Sequence, residues 1–248
     1  MPRRLLFRCA YPLRALPPLL AGALLACAGG TWAQGRATDP ADIARRVAPC
    51  VSCHGKEGRA TRDGYYPRIA GKPAGYLYNE LLNFRDGRRR QYLLMNYMVQ
   101  HLSDAYLREM ADYFAGQQVP YAPVPALDVS RQTLEKGRLL VTSGDASRNI
   151  PACVSCHGQA LTGVAPFIPG LLGIARDYIN AQLGAWRSGT RRALEPDCMG
   201  HIARQLSPEE ISAASAWLAT RPVPADAAPA RSLPAPLPVA CGSVRGAR

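Results

Sequence analysis

The stretch CVSCHG occupies Cys50–Gly55 and occurs again, unchanged, at Cys153–Gly158. Each copy contains C-x-x-C-H, the attachment signature of a c-type haem. In this motif two thiols form thioether bonds to one haem, and the histidine that follows becomes an axial ligand of its iron. The sequence therefore predicts two covalently bound haem c groups. The attachment residues would be Cys50, Cys53, Cys153 and Cys156, and the first iron ligands would be His54 and His157.

Three other uses of a C-x-x-C pair fit the sequence less well. A redox-active disulfide is expected beside a βαβ pattern, which neither copy has. A four-cysteine zinc site would need two pairs that lie 103 residues apart, each followed directly by a histidine. A structural disulfide between cysteines three positions apart would be strained.

The similarity between the two halves extends well beyond these motifs. At an offset of 102 residues, Pro67, Gly71, Tyr76, Leu81, Gly87 and Arg90 match Pro169, Gly173, Tyr178, Leu183, Gly189 and Arg192. Further along, Leu102-Ser103 matches Leu206-Ser207 at an offset of 104. Matches of this kind over such a length indicate duplication of one small domain.

The repeat and the composition set the expected domain boundaries. We expect a signal peptide over residues 1–33, a first domain over 36–118 and a second over 131–221. Three prolines indicate an interdomain linker at 119–130. A tail rich in proline and alanine follows at 222–248, and its composition predicts disorder or a loose arrangement over the surface.

The first 33 residues have the pattern of an export signal. Four arginines precede an apolar stretch, and Ala33 offers a small residue before the cleavage point. Cleavage would deliver the chain to the periplasm. Two alternatives stay open: lipidation of Cys27, which ends the lipoprotein-like string Leu24-Leu25-Ala26-Cys27, and retention of the segment as an anchor.

Each half has the pattern of a helical domain. In the first half, Leu107, Met110, Ala111 and Phe114 form an apolar stripe at helical spacing after Ser103. In the second half, Ser207-Pro208-Glu209-Glu210 combines a helix-capping serine, a proline in the first turn and a glutamate for a capping box. No convincing alternating strand is present. The expected fold class is all-α, with two tandem cytochrome c-like domains related by duplication.

The repeat also selects a candidate for the second iron ligand in each half. Met95 and Met199 each lie seven residues before the matched Leu-Ser pair. Met98 is the rival in the first half, but its counterpart, Ile202, cannot bind iron. The predicted iron ligands are therefore Met95 and Met199, with core packing as the alternative role for any single methionine.

Other groups near these methionines leave alternatives open. His101 and His201 do not match each other in the repeat, which favours surface or supporting roles over iron binding. Cys198 directly precedes Met199. It could bind the second iron as a thiolate, remain a buried free thiol, or form a disulfide with Cys241 in the tail.

The order of these motifs resembles cytochrome c4, a family of dihaem, two-domain periplasmic proteins. The first half carries the resemblance through C-x-x-C-H-G, Pro67, Gly71, Tyr76, Phe84-Arg85-Asp86-Gly87, Met95 and Leu102-Ser103-Asp104. The second half fits less closely. The resemblance implies two cytochrome c folds related by a pseudo-twofold axis, His/Met ligation of both irons and haems that face each other near the interface. It also makes Arg88–Arg90 a candidate docking or propionate-facing patch, with a solvated loop as the simpler alternative.

These features favour a carrier of single electrons over an enzyme. The chain has no paired carboxylates and no nucleophile with a base that would hold and convert a substrate. Its formal net charge of +12 suits acidic protein partners or peripheral contact with an anionic membrane, and no nucleic-acid motif is present. The resemblance implies partners such as a membrane cytochrome complex and a terminal oxidase or reductase. The alternative is a dehydrogenase subunit or a haem enzyme whose second haem is open or bound by cysteine.

Overall fold

The first half of the chain folds into five helices around one core. The computed structural model describes residues 40–61 and 64–244. The helices are α1 (Pro40–Arg46), α2 (Ala48–His54), α3 (Ala74–Arg85), α4 (Leu93–Val99) and α5 (Asp104–Ala115). The predicted signal peptide over 1–33, the alternative lipid site at Cys27 and the start of the first domain at 36 lie outside the described residues.

The second half repeats this order. Its elements are α6 (Arg131–Ser143), α7 (Val154–His157), β1 (Gly163–Val164), β2 (Ile168–Pro169), α8 (Arg176–Ser188), α9 (Cys198–Gln205) and α10 (Pro208–Ala219). The two short strands pair antiparallel, with Gly163 opposite Pro169 and Val164 opposite Ile168. They are the only regular strands in the described residues, so the helical character that the sequence predicts is confirmed.

The last helix of each half begins where its capping serine predicts. Ser103 Oγ accepts a hydrogen bond from the Tyr106 N–H, and Ser207 Oγ accepts one from the Glu210 N–H. The Glu210 carboxylate in turn accepts the Ser207 N–H, at 2.8 Å, which completes the predicted capping box. These bonds satisfy N–H groups that the first turn of a helix leaves without a partner.

Each half has its own hydrophobic core. The stripe of α5 (Leu107, Met110, Ala111, Phe114) is buried in the first core together with Val47 of the loop after α1. The corresponding residues of α10 are buried in the second core. A separate core in each half is the arrangement expected when a small domain is duplicated.

Close packing of α6 against α10 depends on Gly137. A Cβ atom at this position would overlap the carbonyl oxygen of Ala213 on the facing helix. The two helices can therefore approach this closely only with a glycine on α6, and any larger residue must push them apart.

We expect Gly137→Ala to lower the free energy of unfolding by about 1–3 kcal/mol, because the added methyl group overpacks the helix contact. Chemical denaturation of the holoprotein measures this change. The matched control is Gly184→Ala on α8, where a Cβ meets no atom within 4 Å. That substitution is expected to stabilise the protein slightly through better helix propensity. Equal effects of the two substitutions would contradict the role assigned to Gly137.

The linker and the tail both lie against the helical domains. Arg68 donates hydrogen bonds to the carbonyls of Val119 and Pro120 at the start of the predicted linker. In the tail, Ala230 exchanges hydrogen bonds with Gly163 and Ala165 beside β1, at 2.9 and 2.8 Å. Within residues 40–61 and 64–244, no helix has the length and apolar character needed to cross a membrane.

Candidate functional site

A cavity of about 920 Å³ runs from one CVSCHG motif to the other. Its size lies in the upper part of the roughly 300–1,000 Å³ range of protein ligand sites. Much of its wall is apolar and includes Leu77, Phe84, Ile150, Ile168, Leu171 and Ile179. All predicted site residues lie in this wall: Cys50, Cys53, His54, Met95, Cys153, Cys156, His157 and Met199.

In the first motif, the orientation of His54 is set by a backbone carbonyl. His54 ends α2 and is buried, and its Nδ1 lies 2.9 Å from the Pro67 oxygen. A carbonyl oxygen can only accept, so Nδ1 carries the proton and Nε2 keeps its lone pair. Burial lowers the pKa of His54 below its usual value, which also favours the neutral ring. A neutral imidazole with Nε2 unprotonated is the form that binds iron.

The second motif repeats this geometry. The His157 Nδ1 lies 2.7 Å from the Pro169 oxygen, and Pro169 matches Pro67 in the repeat. Burial also lowers the pKa of His157, and the nearby Lys72 ammonium lowers it further. The two histidines are therefore held in the same tautomer by equivalent bonds.

The methionine candidates lie on equivalent helices, α4 and α9, and both line the cavity. Met95 on α4 packs against the first core, whereas Met98 on the same helix is 41% exposed. Met199 lies on α9, whose first turn is capped by Asp197 through the Gly200 N–H at 2.9 Å. Both Met95 and Met98 line the cavity. The choice between them stays a prediction, and the greater burial of Met95 supports it.

The structure does not support the alternative iron ligands His101, His201 and Cys198. His101 and His201 are exposed and are absent from its wall. Cys198 forms a disulfide with Cys241, as one of the three alternatives proposed. A disulfide sulfur is not a thiolate, so this bond removes the basis for a cysteine-bound second iron.

The interface between the halves contains buried charges, of which the sequence singled out only Arg89, within the candidate patch Arg88–Arg90. Glu80 Oε2 accepts hydrogen bonds from Arg89 at 2.5 Å and from Arg191 at 2.8 Å. Gln182, which matches Glu80 in the repeat, accepts from the same two arginines at 2.6 and 2.9 Å. The offset of 102 relates both pairs, so the repeat could have revealed these residues.

Glu80 is charged in this cluster despite its burial. Burial alone would raise the pKa of its carboxyl group, but Arg191 and Arg89 together lower it below the usual value. The cluster therefore combines two buried cations with a single buried anion, because the second half supplies a neutral glutamine where the first supplies a carboxylate.

The backbone pairing at the same place is reciprocal. The Arg90 N–H donates to the Thr190 carbonyl and the Arg192 N–H donates to the Arg88 carbonyl, both at 2.8 Å. Such mutual contacts between matched residues are the pattern of a local two-fold axis. Arg89 is only 3% exposed and lines the cavity, so the alternative of a solvated loop for Arg88–Arg90 is wrong at its centre, and the propionate-facing role stays a prediction. The physical reason is the pairing with Glu80, which compensates the burial of Arg89.

A third buried cation reaches across the interface. Lys72 of the first half donates from Nζ to the Gly170 carbonyl of the second half at 2.9 Å, and it lines the cavity. Burial lowers the pKa of this ammonium group to about 8. Lys72, Arg89 and Arg191 thus give the cavity three buried cations with which carboxylate groups of a ligand could pair.

These residues fit two covalently attached haems. Each motif supplies two thiols and a histidine in the iron-binding tautomer, and in each half a methionine of a later helix also lines the cavity. The apolar wall suits a porphyrin, and the buried cations suit its propionates. The structure also shows why both groups would lie in one continuous space, since the two motifs open into the same cavity.

The sequence of the chain is similar to those of several known proteins. No protein-family model matches it. It is 33% identical to a thiosulfate dehydrogenase electron acceptor from Thiomonas intermedia, over 85% of this chain and 92% of the relative. It is 36% identical to a protein of the same description from Stutzerimonas stutzeri, over 84% of this chain and 94% of the relative. Cytochrome c4 from Pseudomonas aeruginosa is 30% identical over 79% of this chain and 94% of its own sequence.

Solved structures give the same result. A crystal structure of reduced cytochrome c4 from Pseudomonas stutzeri matches 73% of this chain and 98% of its own, with a TM-score of 0.61 and 29% identity. A thiosulfate dehydrogenase from Marichromatium purpuratum matches 75% of this chain with a TM-score of 0.62 and 31% identity. This chain spans only 39% of that protein. The similarity to cytochrome c4 structures confirms the predicted fold class.

Proposed function

Since the chain belongs to the family of dihaem c-type cytochromes that includes cytochrome c4 and the thiosulfate dehydrogenase electron acceptors, we propose that it takes single electrons from a thiosulfate dehydrogenase. The chain is a dihaem electron carrier with two covalently bound haem c groups, as the sequence predicted. Two relatives are described by the dehydrogenase that reduces them, and this description supports the choice of donor.

The proposed ligands are those that the repeat selected. His54 and Met95 would bind the first iron, and His157 and Met199 the second. When bound, each haem supplies an iron that gains and loses one electron between its ferric and ferrous states. The single observation that carries the proposal is the continuous cavity, in whose wall both complete sets of residues lie.

Side chains and backbone carbonyls of the protein set the protonation, water content and charge of these two sites. The carbonyls of Pro67 and Pro169 keep Nδ1 of each histidine protonated, so that Nε2 stays available as a ligand. The apolar walls exclude water, which limits the rearrangement that accompanies a change of charge. Lys72, Arg89 and Arg191 would pair with the propionates and so hold both haems close to the interface.

The location and the downstream partner complete the proposal. The N-terminal pattern and the family resemblance support a periplasmic protein. The acceptor would be a membrane cytochrome complex or a terminal oxidase or reductase, reached by diffusion. The strongly basic composition suits acidic surfaces on both partners.

The donor can be tested with purified components. We expect the oxidised holoprotein to be reduced when it is mixed with thiosulfate and the thiosulfate dehydrogenase of Thiomonas intermedia, and we expect each chain to take two electrons. The change in the haem absorption spectrum measures this. Mixtures that lack either thiosulfate or the enzyme are the controls. The donor is wrong if this chain stays oxidised while the electron acceptor of Thiomonas intermedia is reduced under the same conditions.

A further inference from the structure

Helix α4 of the first half presents an uncovered apolar face beside the first haem site. This α4 face consists of Leu93 (77% exposed), Leu94 (56%), Tyr97 (70%) and Met98 (41%). All but Tyr97 also line the cavity next to Met95. Single exposed apolar side chains are common on protein surfaces, but four on one seven-residue helix form a patch of the kind that marks an interaction site.

The equivalent face of the second half is covered by the tail at its start, while His201, the counterpart of Tyr97, stays exposed. At the offset of 104 that relates Met95 to Met199, Leu94 corresponds to Cys198, which the disulfide joins to Cys241. Close to this bond, Leu237 and Val239 of the tail are half-buried and line the cavity. A chain segment therefore occupies one of the two related surfaces, anchored at the very position where the other has an exposed leucine.

Further contacts hold the tail in this place. The Gly242 N–H donates to the Pro196 carbonyl at 2.9 Å. Ser243 accepts, through its carbonyl, a hydrogen bond from Asn79 of the first half, also at 2.9 Å. The tail thus contacts the start of α9, whereas in the described residues no tail segment is bonded to the α4 face. A haem in the cavity would cover the inner sides of Leu93, Leu94 and Met98, which leaves Tyr97 and the outer sides of the two leucines as the accessible part of this face.

We propose that the α4 face is the surface on which the thiosulfate dehydrogenase docks, and that the tail blocks docking at the related surface of the second half. Electrons removed from thiosulfate would then enter through the first haem and pass on to the second. This inference rests on the proposed function, because it specifies where the same donor binds. Since electron transfer slows steeply with distance, a partner on the α4 face would reduce the first haem in preference to the second.

The distribution of charge favours a different redox protein, rather than a second copy of this chain, as the partner that binds the α4 face. The segment 91–103 contains no Asp, Glu, Lys or Arg, and Arg90 just before it is exposed. Within the described residues, the Arg90 side chain has no hydrogen bond or ion pair. Basic residues outnumber acidic ones even without the four arginines of the predicted signal peptide, and this excess opposes self-association. The surface therefore suits a partner with an apolar centre and an acidic rim, and such an arrangement also speeds association.

The variant Tyr97→Glu tests the docking surface. Tyr97 is exposed and does not line the cavity, so its replacement leaves the haem site in place. We expect the second-order rate constant for reduction by the thiosulfate-fuelled dehydrogenase of Thiomonas intermedia to fall by roughly tenfold or more, as for loss of an aromatic residue at an interface centre. Reduction by dithionite and both midpoint potentials should stay unchanged. The matched control, Leu139→Glu, places the same charge at an exposed leucine of α6 and should leave the rate unchanged.

The outcomes separate the two proposals. If the wild type is reduced by the dehydrogenase and Tyr97→Glu is reduced equally fast, the donor docks elsewhere and only this inference is wrong. If the wild type is not reduced, the proposed donor is wrong and the inference falls with it. A dimer of the wild type in sedimentation experiments that Tyr97→Glu abolishes would assign the face to a second copy and overturn the inference.

The role of the tail is tested in the same background. In Tyr97→Glu, the additional changes Cys198→Ser and Cys241→Ser remove the anchor of the tail. We expect the rate constant to recover at least in part, because the second face becomes accessible. Protease sensitivity of the tail shows whether it is released. If the tail is released and the rate stays low, the tail does not withhold a docking surface.

Discussion

Met95→Ala is expected to convert the first haem alone from low spin to high spin. If Met95 binds the first iron, loss of its sulfur would leave that iron with His54 as its only protein ligand, while the second site would keep the proposed ligands His157 and Met199. The first haem should then bind carbon monoxide readily. Its reduction potential should fall, because a methionine sulfur favours ferrous iron. Absorption spectra of the oxidised and reduced protein, with a redox titration, measure all of these changes.

The matched control is Met98→Ala on the same helix. Met98 also lines the cavity, but 41% of it is exposed. We expect its loss to leave both haems low-spin and to keep the red charge-transfer band of methionine-bound ferric haem at full intensity. A high-spin first haem in Met98→Ala, with Met95→Ala unaffected, would falsify the choice that the repeat suggests.

Glu80→Gln is expected to lower the free energy of unfolding of the holoprotein by about 3–5 kcal/mol. The substitution copies the residue that the second half already has at this position. It leaves Arg89 and Arg191 buried at the interface with two neutral amides and no protein carboxylate. Compensation of the two arginines would then be left to the propionates alone, and incompletely compensated buried charge is costly because the guanidinium groups have lost their hydration. Chemical denaturation at neutral pH measures the effect.

Two further variants show whether the buried carboxylate is responsible. Gln182→Glu adds a second carboxylate between the same arginines and should not destabilise the protein. Glu135→Gln makes the same chemical change in an exposed ion pair with Arg138 and should have little measurable effect. A loss of stability in Glu80→Gln as small as in Glu135→Gln would mean that the propionates, rather than Glu80, compensate the two arginines.

The pH dependence of stability offers an independent check of the same ion pairs. The pKa of Glu80 in the folded protein lies below its usual value of 4.5, so its contribution is fully present above pH 4.5. That contribution is lost as the pH falls through the lower folded value and the carboxylate becomes protonated. We therefore expect the stability difference between the wild type and Glu80→Gln to shrink on acidification, and a constant difference would contradict the assignment.

Much of each half could be predicted because the signals are local. The residues of C-x-x-C-H must be close in sequence to attach one haem, and the capping box at Ser207 and Glu210 depends on bonds within one helical turn. The repeat extended these predictions from one half to the other. It also placed Met95 and Met199 on equivalent helices, although their role as ligands stays a prediction.

The fate of individual charged residues could not be predicted in this way. Arg88–Arg90 had the appearance of a solvated basic loop, yet Arg89 is buried because Glu80 and Gln182 approach it from two different halves of the chain. The importance of Lys72 was missed for the same reason. Its acceptor, the Gly170 carbonyl, lies 98 positions away and carries no side-chain signal in the sequence.

The sequence by itself determined that two haem c groups are attached and that the chain is a duplicated helical carrier. These properties follow from motifs whose parts are neighbours along the chain. Only the tertiary structure decided how the two halves differ. Their cysteine motifs are identical, but the Cys198–Cys241 bond ties the tail to the start of one methionine helix, whereas Leu94 at the matching position of the other is exposed. Which surface is covered depends on contacts between distant segments, and such contacts exist only after the chain has folded.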